Sequence, residues 1–555
     1  MAETKRSSRG LRLWPAWLIL TGAAVALVAI WAPADSPVSM AKPTATVMAL
    51  NLTVLLLLLW WVLLSRARWF VRLGVLAVVV ALGWAARSLV EVRGLSGDLV
   101  PQLAWRGAST PAPLPPLATP EAPGSPSPTA APDAISEERA GIEATTELPP
   151  PDPAIAATAP PESGPDPRDF PQFLGPNRNA VLRGVDLARA WDARPPVEIW
   201  RQPIGSGWSG FAVAGGLAVT QEQRDGRAMI VAYDLESGAV RWSQPAGAGL
   251  ESTMTGDGPR ATPTIDGGRV YALGVDGILR ALDLATGRRL FERNVLEENT
   301  ARAPTHGIAS SPLVVDGLVI VLAGGGNGRS LVAYDADTGV SRWGGGDDEA
   351  AYSSPLVATL GGVRQIVVLN LRHLTGHDPR TGGVLWKDRW PDRPEKVSQP
   401  VVLGGDRIFA SMGYGVGGRL VQVARRPDGG FDADLKWETR RLKAKFTQVV
   451  EHEGFLYGLD EGVLVCLDPA DGERRWKRGR YGHGQVLLVD DLLLLQSEDG
   501  NVVLIDPSPE GLVELTRFKA VEGKTWATPA LAGDLLIVRS EVEAACYRLP
   551  TESGA

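Results

Sequence analysis

Five histidines and two cysteines are the side chains best suited to metal or nucleophilic chemistry in this 555-residue chain, and their spacing excludes most of it. His373 and His377 lie four apart, but Leu374 stands where the H-E-x-x-H zinc helix needs glutamate, and i and i+4 on a strand are ~13 Å apart. Cys466 and Cys546 sit in short apolar runs. Two cysteines build neither a disulfide scaffold, a Cys-ligated zinc site nor a C-x-x-C-H haem attachment, which leaves one bridge or two buried thiols. His452 and His483 read as solvated or turn residues. The run Gly324–Ser330 (GGGNGRS) lies between strands and opens no helix, so it reads as a plain loop rather than an anion cradle. His306, in APTHGIASSP just ahead of a hairpin, is left as the candidate for a cofactor or ligand contact. No catalytic set and no metal site are expected.

The aspartates recur too regularly to converge on one reaction. Copies of A-x-D-x-x-T-G-x-x-x-W place Asp234, Asp283, Asp335, Asp378 and Asp468 four residues before Gly238, Gly287, Gly339, Gly382 and Gly472, and eight before Trp242, Phe291, Trp343, Trp386 and Trp476. A degraded copy surrounds Asp506. The carboxylate can accept N–H groups two and three residues on while the glycine takes positive φ, and the ring begins the next strand and fills space between sheets. These residues are therefore a structural repeat. Thr262-Pro263, Ser311-Pro312, Ser354-Pro355, Gln399-Pro400 and Thr528-Pro529 each open a hairpin within the same period, giving four short strands per unit. Units of about 48 residues with four strands are propeller blades. Residues 168–550 hold eight, or seven if the last is incomplete. Val197–Pro203 has an aromatic strand without a preceding turn motif and should complete the last blade, protecting its edge.

The repeat resembles that of the pyrroloquinoline quinone (PQQ)-like β-propeller superfamily, which includes quinoprotein dehydrogenases and BamB-like envelope assembly factors. Asp169–Val181 (DFPQFLGPNRNAV) and Glu349–Leu369 resemble PQQ-like repeat proteins too. A quinoprotein dehydrogenase would imply PQQ with Ca²⁺ on the axis, an aspartate base and electron transfer to quinone, and a three-span anchor is similar to that of membrane-bound glucose dehydrogenases. The short units leave little room for the insertions that build a substrate pocket. Resemblance to BamB-like factors implies a scaffold in envelope protein assembly, binding chains through loops or blade edges. BamB itself is anchored through an N-terminal acylated cysteine, and no cysteine here precedes Cys466. An extracytoplasmic ligand-sensing domain is the third reading.

What must position this propeller lies before it. Apolar stretches at about 13–32, 45–64 and 69–90 match the ~20 residues that cross a bilayer. Lys5, Arg6, Arg9, Arg12, Arg66, Arg68 and Arg72 flank the sides expected to be cytoplasmic, so the chain after the third span is exported. The first stretch reads alternatively as a cleaved signal peptide ending at Ala32-Pro33-Ala34, with the same outcome for the propeller. Residues 111–167 carry 17 prolines and few large apolar groups, as expected of a disordered tether. A net charge of −7 without a basic block beyond the N-terminus gives no footprint for nucleic acid. The expected architecture is all-β: residues 1–12 a cytoplasmic basic tail, 13–90 a three-helix transmembrane anchor, 91–110 an extracytoplasmic connector, 111–167 a Pro-rich linker, 168–550 an eight-bladed β-propeller, and 551–555 a tail. The expected function is a non-enzymatic interaction module on the periplasmic side of the bacterial inner membrane, in contact with lipid through its helices and with other envelope proteins through the propeller, with no cofactor.

Overall fold

A computed structural model describes residues 12–31, 41–97, 101–106, 114, 117, 168–252, 254–393 and 395–552. Most of the basic tail, nearly all of the Pro-rich linker and residues 553–555 lie outside them.

Eight sheets follow one another around an axis, each built on four antiparallel strands, one of them with a fifth, parallel strand added. In chain order their strands fall within 212–248, 264–294, 313–345, 356–389, 401–439, 449–480, 485–519 and 530–548, which we number blades 1 to 8. Blade 8 receives its outer strand from Val197–Pro203, paired Cys546 to Trp200, so the chain end and the propeller start close the ring together. Cys466 and Cys546 are buried free thiols in blades 6 and 8.

The repeat residues weld one blade to the next. Asp283 Oδ1 accepts from the Thr286 N–H at 2.9 Å and hydroxyl at 2.7 Å, and Asp234, Asp335, Asp378 and Asp468 hold equivalent turns. The glycine that ends each turn has φ near +70°, and it is also the seat of the preceding blade's ring: a Cβ on Gly287 would lie 2.6 Å from Trp242. Gly238 faces Trp200, Gly339 faces Phe291, Gly382 faces Trp343 and Gly472 faces Trp437 in the same way. Each indole then donates into the next blade's turn, as Trp242 Nε1 does to Leu284 O at 2.8 Å and Trp476 Nε1 to Ser508 O at 2.8 Å. Trp386 departs from this, because blade 5 has no such turn to receive it; its Nε1 donates to Gln365 within its own blade.

Four of the five x-Pro positions line the axis and form a relay. Gly210 N donates to Thr262 Oγ1, Thr262 N to Ser311 Oγ, Ser311 N to Ser354 Oγ, Ser354 N to Gln399 Oε1 and Gln399 N to Gln448 Oε1, at 2.7–3.1 Å, stepping one blade at a time from blade 1 to blade 6. Blades 6 to 8 are joined differently: Gln485 Nε2 donates to both Phe446 O and Trp526 O at 2.9 Å.

Among the described residues, three apolar helices precede the propeller: α1 (Trp14–Trp31), α2 (Ala41–Leu64) and α3 (Trp69–Leu89). Two are long and apolar enough to cross a membrane and the first is shorter, a set that fits a three-helix anchor. The connector after α3 holds strand structure. Two strands, β1 (Val90–Leu95) and β2 (Pro101–Trp105), pair antiparallel, and Val90 N–H still bonds Ala86 O, so the hairpin leaves the helix without slack.

Candidate functional site

A cavity of about 310 Å³ sits on the propeller axis. Phe173 lines one side of it, on the segment that crosses the inner strands: Phe170 bridges Val213 of blade 1, Pro171 O accepts from Ile265 N of blade 2, Arg178 donates to Ser311 O and Pro312 O, and Val181–Leu182 adds a parallel strand to blade 7. On the other side, the loops leading into the inner strands of blades 6, 7 and 8 meet the tip of the β1–β2 hairpin, and Ser96 and Gly97 line the cavity.

Three main-chain contacts hold that tip. Gly97 N donates to Glu498 Oε1 at 2.7 Å, Lys445 Nζ donates to Gly97 O at 3.0 Å, and Lys524 Nζ donates to Leu95 O at 3.1 Å. Glu498 is itself fixed by Trp526 Nε1 (3.0 Å) and His483 N (2.9 Å). Lys524 is 3% exposed, with its ammonium 4.2 Å from the Trp526 ring centre and 5.1 Å from that of Trp208. Burial pushes its pKa below the usual lysine range, with Glu541 and Glu498 opposing. Trp208, Trp526 and Phe446 pack in sequence as tilted pairs with centroids 4.9 Å apart.

His306 does reach this cavity, beside Tyr352, whose hydroxyl accepts from His306 N at 3.2 Å. Burial lowers its pKa, the Arg260 charge adds to the effect and Glu395 opposes it, so the ring is neutral near pH 7. Arg260 spends its guanidinium on Gly258 O, Gly256 O and the Thr255 hydroxyl, and burial lowers its pKa to about 10. The other histidines are elsewhere or differ from expectation. His483 is fully buried against the hairpin tip rather than solvated, because the tip covers the loop that carries it. His377 is buried between Gly382 O and the Thr375 hydroxyl, His373 contacts Asp348 at 3.0 Å, and half-buried His452 ends a strand. The repeat aspartates occupy the blade turns, away from this cavity.

The lining offers aromatic faces, cations over rings and main-chain hydrogen-bonding groups, and among the described lining residues no nucleophile is held by a base. A calcium ion takes six to eight oxygen ligands, usually several from carboxylates. Glu395 is the one carboxylate among the cavity's lining residues, and among the described residues no three of His, Cys, Asp and Glu are grouped to share an ion. The residues present do not fit a quinone held by calcium.

Sequence reading missed Lys445, Glu498, Lys524 and the hairpin. Two signals were available: a Ser96-Gly97-Asp98 turn between short apolar runs, and an aromatic two residues before both Gln448 and Thr528.

The family model described as outer membrane protein assembly factor BamB matches residues 186–305 and 293–478, together more than half of the chain. No curated protein matches significantly. Among solved structures, BamB from Moraxella catarrhalis is similar at 13% identity and TM-score 0.46, covering 64% of this chain and 100% of its own. Quinohemoprotein alcohol dehydrogenase from Comamonas testosteroni is similar at 14% identity and TM-score 0.50, covering 68% and 80%. Identities this low speak to the fold alone.

Proposed function

The chain belongs to the BamB family of propellers, and from that premise we propose that it is a non-enzymatic protein-interaction module tethered to the bacterial inner membrane. The observation that carries this reading is that the axial mouth already holds polypeptide, gripped through its backbone by Glu498, Lys445 and Lys524. The outer strands add a second surface, where Val384, Leu435 and Val513 are exposed apolar side chains. The helices contact lipid in three passes, and the Lys/Arg asymmetry supports a periplasmic propeller taking part in envelope protein assembly.

A photo-crosslinking residue at Leu435 or Val513, in the full chain in cells, is expected to give discrete adducts with envelope polypeptides; adducts with lipid or itself alone would defeat the reading. PQQ with Ca²⁺ added to the purified chain is expected to leave tryptophan fluorescence unquenched. Saturable, Ca²⁺-dependent quenching would return the protein to the quinoprotein dehydrogenases.

A further inference from the structure

The grip on the hairpin tip is independent of side-chain identity at the contacts that define it. Glu498 and Lys445 address the N–H and the carbonyl of Gly97, and Lys524 addresses the carbonyl two residues before. Acceptor and donors are thus spaced for a turn of main chain. The position between His483 and the turn has room only for glycine, since a Cβ on Gly97 would lie 1.9 Å from His483 Cδ2. The preceding residue is different. Ser96 faces the aromatic cavity and its small hydroxymethyl group leaves about 310 Å³ open in front of Trp208, Trp526, Phe446, Tyr352 and Tyr414. A backbone grip with an obligatory glycine and an empty aromatic pocket one residue earlier describes a ligand better matched than the one in place.

We propose that the axial mouth is a receptor for the tip of a partner's β-hairpin carrying an aromatic residue followed by glycine, and that the chain's own Leu95-Ser96-Gly97 is a resident placeholder. The inference rests on the interaction reading above and names the kind of partner at that site. Tethering gives the resident tip a local concentration on the order of millimolar, so it holds the mouth against weak competitors. A ring that fills the pocket has the advantage of its buried area, and a tip of that kind displaces the placeholder.

The test uses the full chain in lipid nanodiscs and labelled, disulfide-cyclised hairpin peptides with Trp-Gly, Ser-Gly or Trp-Ala at the turn, followed by fluorescence anisotropy. The Trp-Gly peptide is expected to bind saturably, at least tenfold tighter than Ser-Gly, with Trp-Ala not binding. Gly97→Ala, which expels the resident tip, should tighten Trp-Gly binding at least tenfold. Ser96→Trp, which fills the pocket in cis, should weaken it at least tenfold. Within the Gly97→Ala chain, Glu498→Gln should abolish the gain; if that variant does not fold, Lys445→Met serves the same purpose. Equal affinity in the parent, Gly97→Ala and Ser96→Trp chains, or equal binding of Trp-Gly and Trp-Ala, overturns the proposal. Outer-strand crosslinks that persist without peptide binding sink this inference alone, whereas loss of both sinks the interaction reading as well.

Discussion

Each turn aspartate acts as an acceptor for its own loop. The Ser237 hydroxyl and N–H hold Asp234 below the ordinary aspartate value of 3.8, with burial opposing; the Thr286 hydroxyl does the same to Asp283, and Arg342 with Thr338 to Asp335. A carboxylate depressed on folding contributes stability that is complete above its unfolded pKa and disappears as pH falls through the folded value. Thermal melts of the propeller should therefore be flat from pH 7 to 5 and decline progressively below about pH 4. Asp283→Ala should cost about 1 kcal/mol at pH 7, the worth of an exposed charge-assisted turn, and show a shallower acid decline in urea titrations.

At the scale of elements, the ring-on-glycine joint is the unit of cohesion between blades. Trp242→Ala, measured by urea unfolding, should cost about 3–5 kcal/mol, as expected for a buried ring removed without collapse of the space. Gly287→Ala should cost clearly more than Gly216→Ala: both have positive φ, near +71° and +74°, but only Gly287 has a ring in the way. The joint was half legible in the sequence. The fixed offset from Asp283 to Phe291 announced a turn followed by a strand, and period and strand count gave eight blades and the closing role of Val197–Pro203. The sequence did not disclose that Trp242 reaches forward to Gly287, since that contact spans 45 residues and depends on how two sheets stack. Nor did it disclose the axial site. Lys445, Glu498 and Lys524 come from three separate loops, and only ring closure makes them neighbours. Around His306 the residue type and the loop position sufficed to place it at the cavity; for His483 they did not, because its burial is supplied by a hairpin nearly 400 residues earlier.

For the molecule as a whole, the hairpin ties the propeller to α3, ahead of residues 111–167 in the chain. The two parts of the chain on either side of residues 111–167 are thus already in contact. Protease added to osmotically opened cells should remove a tag at Ala555, and protection of that tag would reverse the topology. The relay from Gly210 to Gln448 gives six blades a common hoop, whose bore cannot widen at one stave without straining the next. The hoop has a seam at Gln485, where one amide with two donors clasps the Phe446 and Trp526 loops in place of the relay. Those loops also supply Lys445 and Lys524, so whatever sits in the mouth presses on the clasp, and the gauge of the bore is set by its occupant.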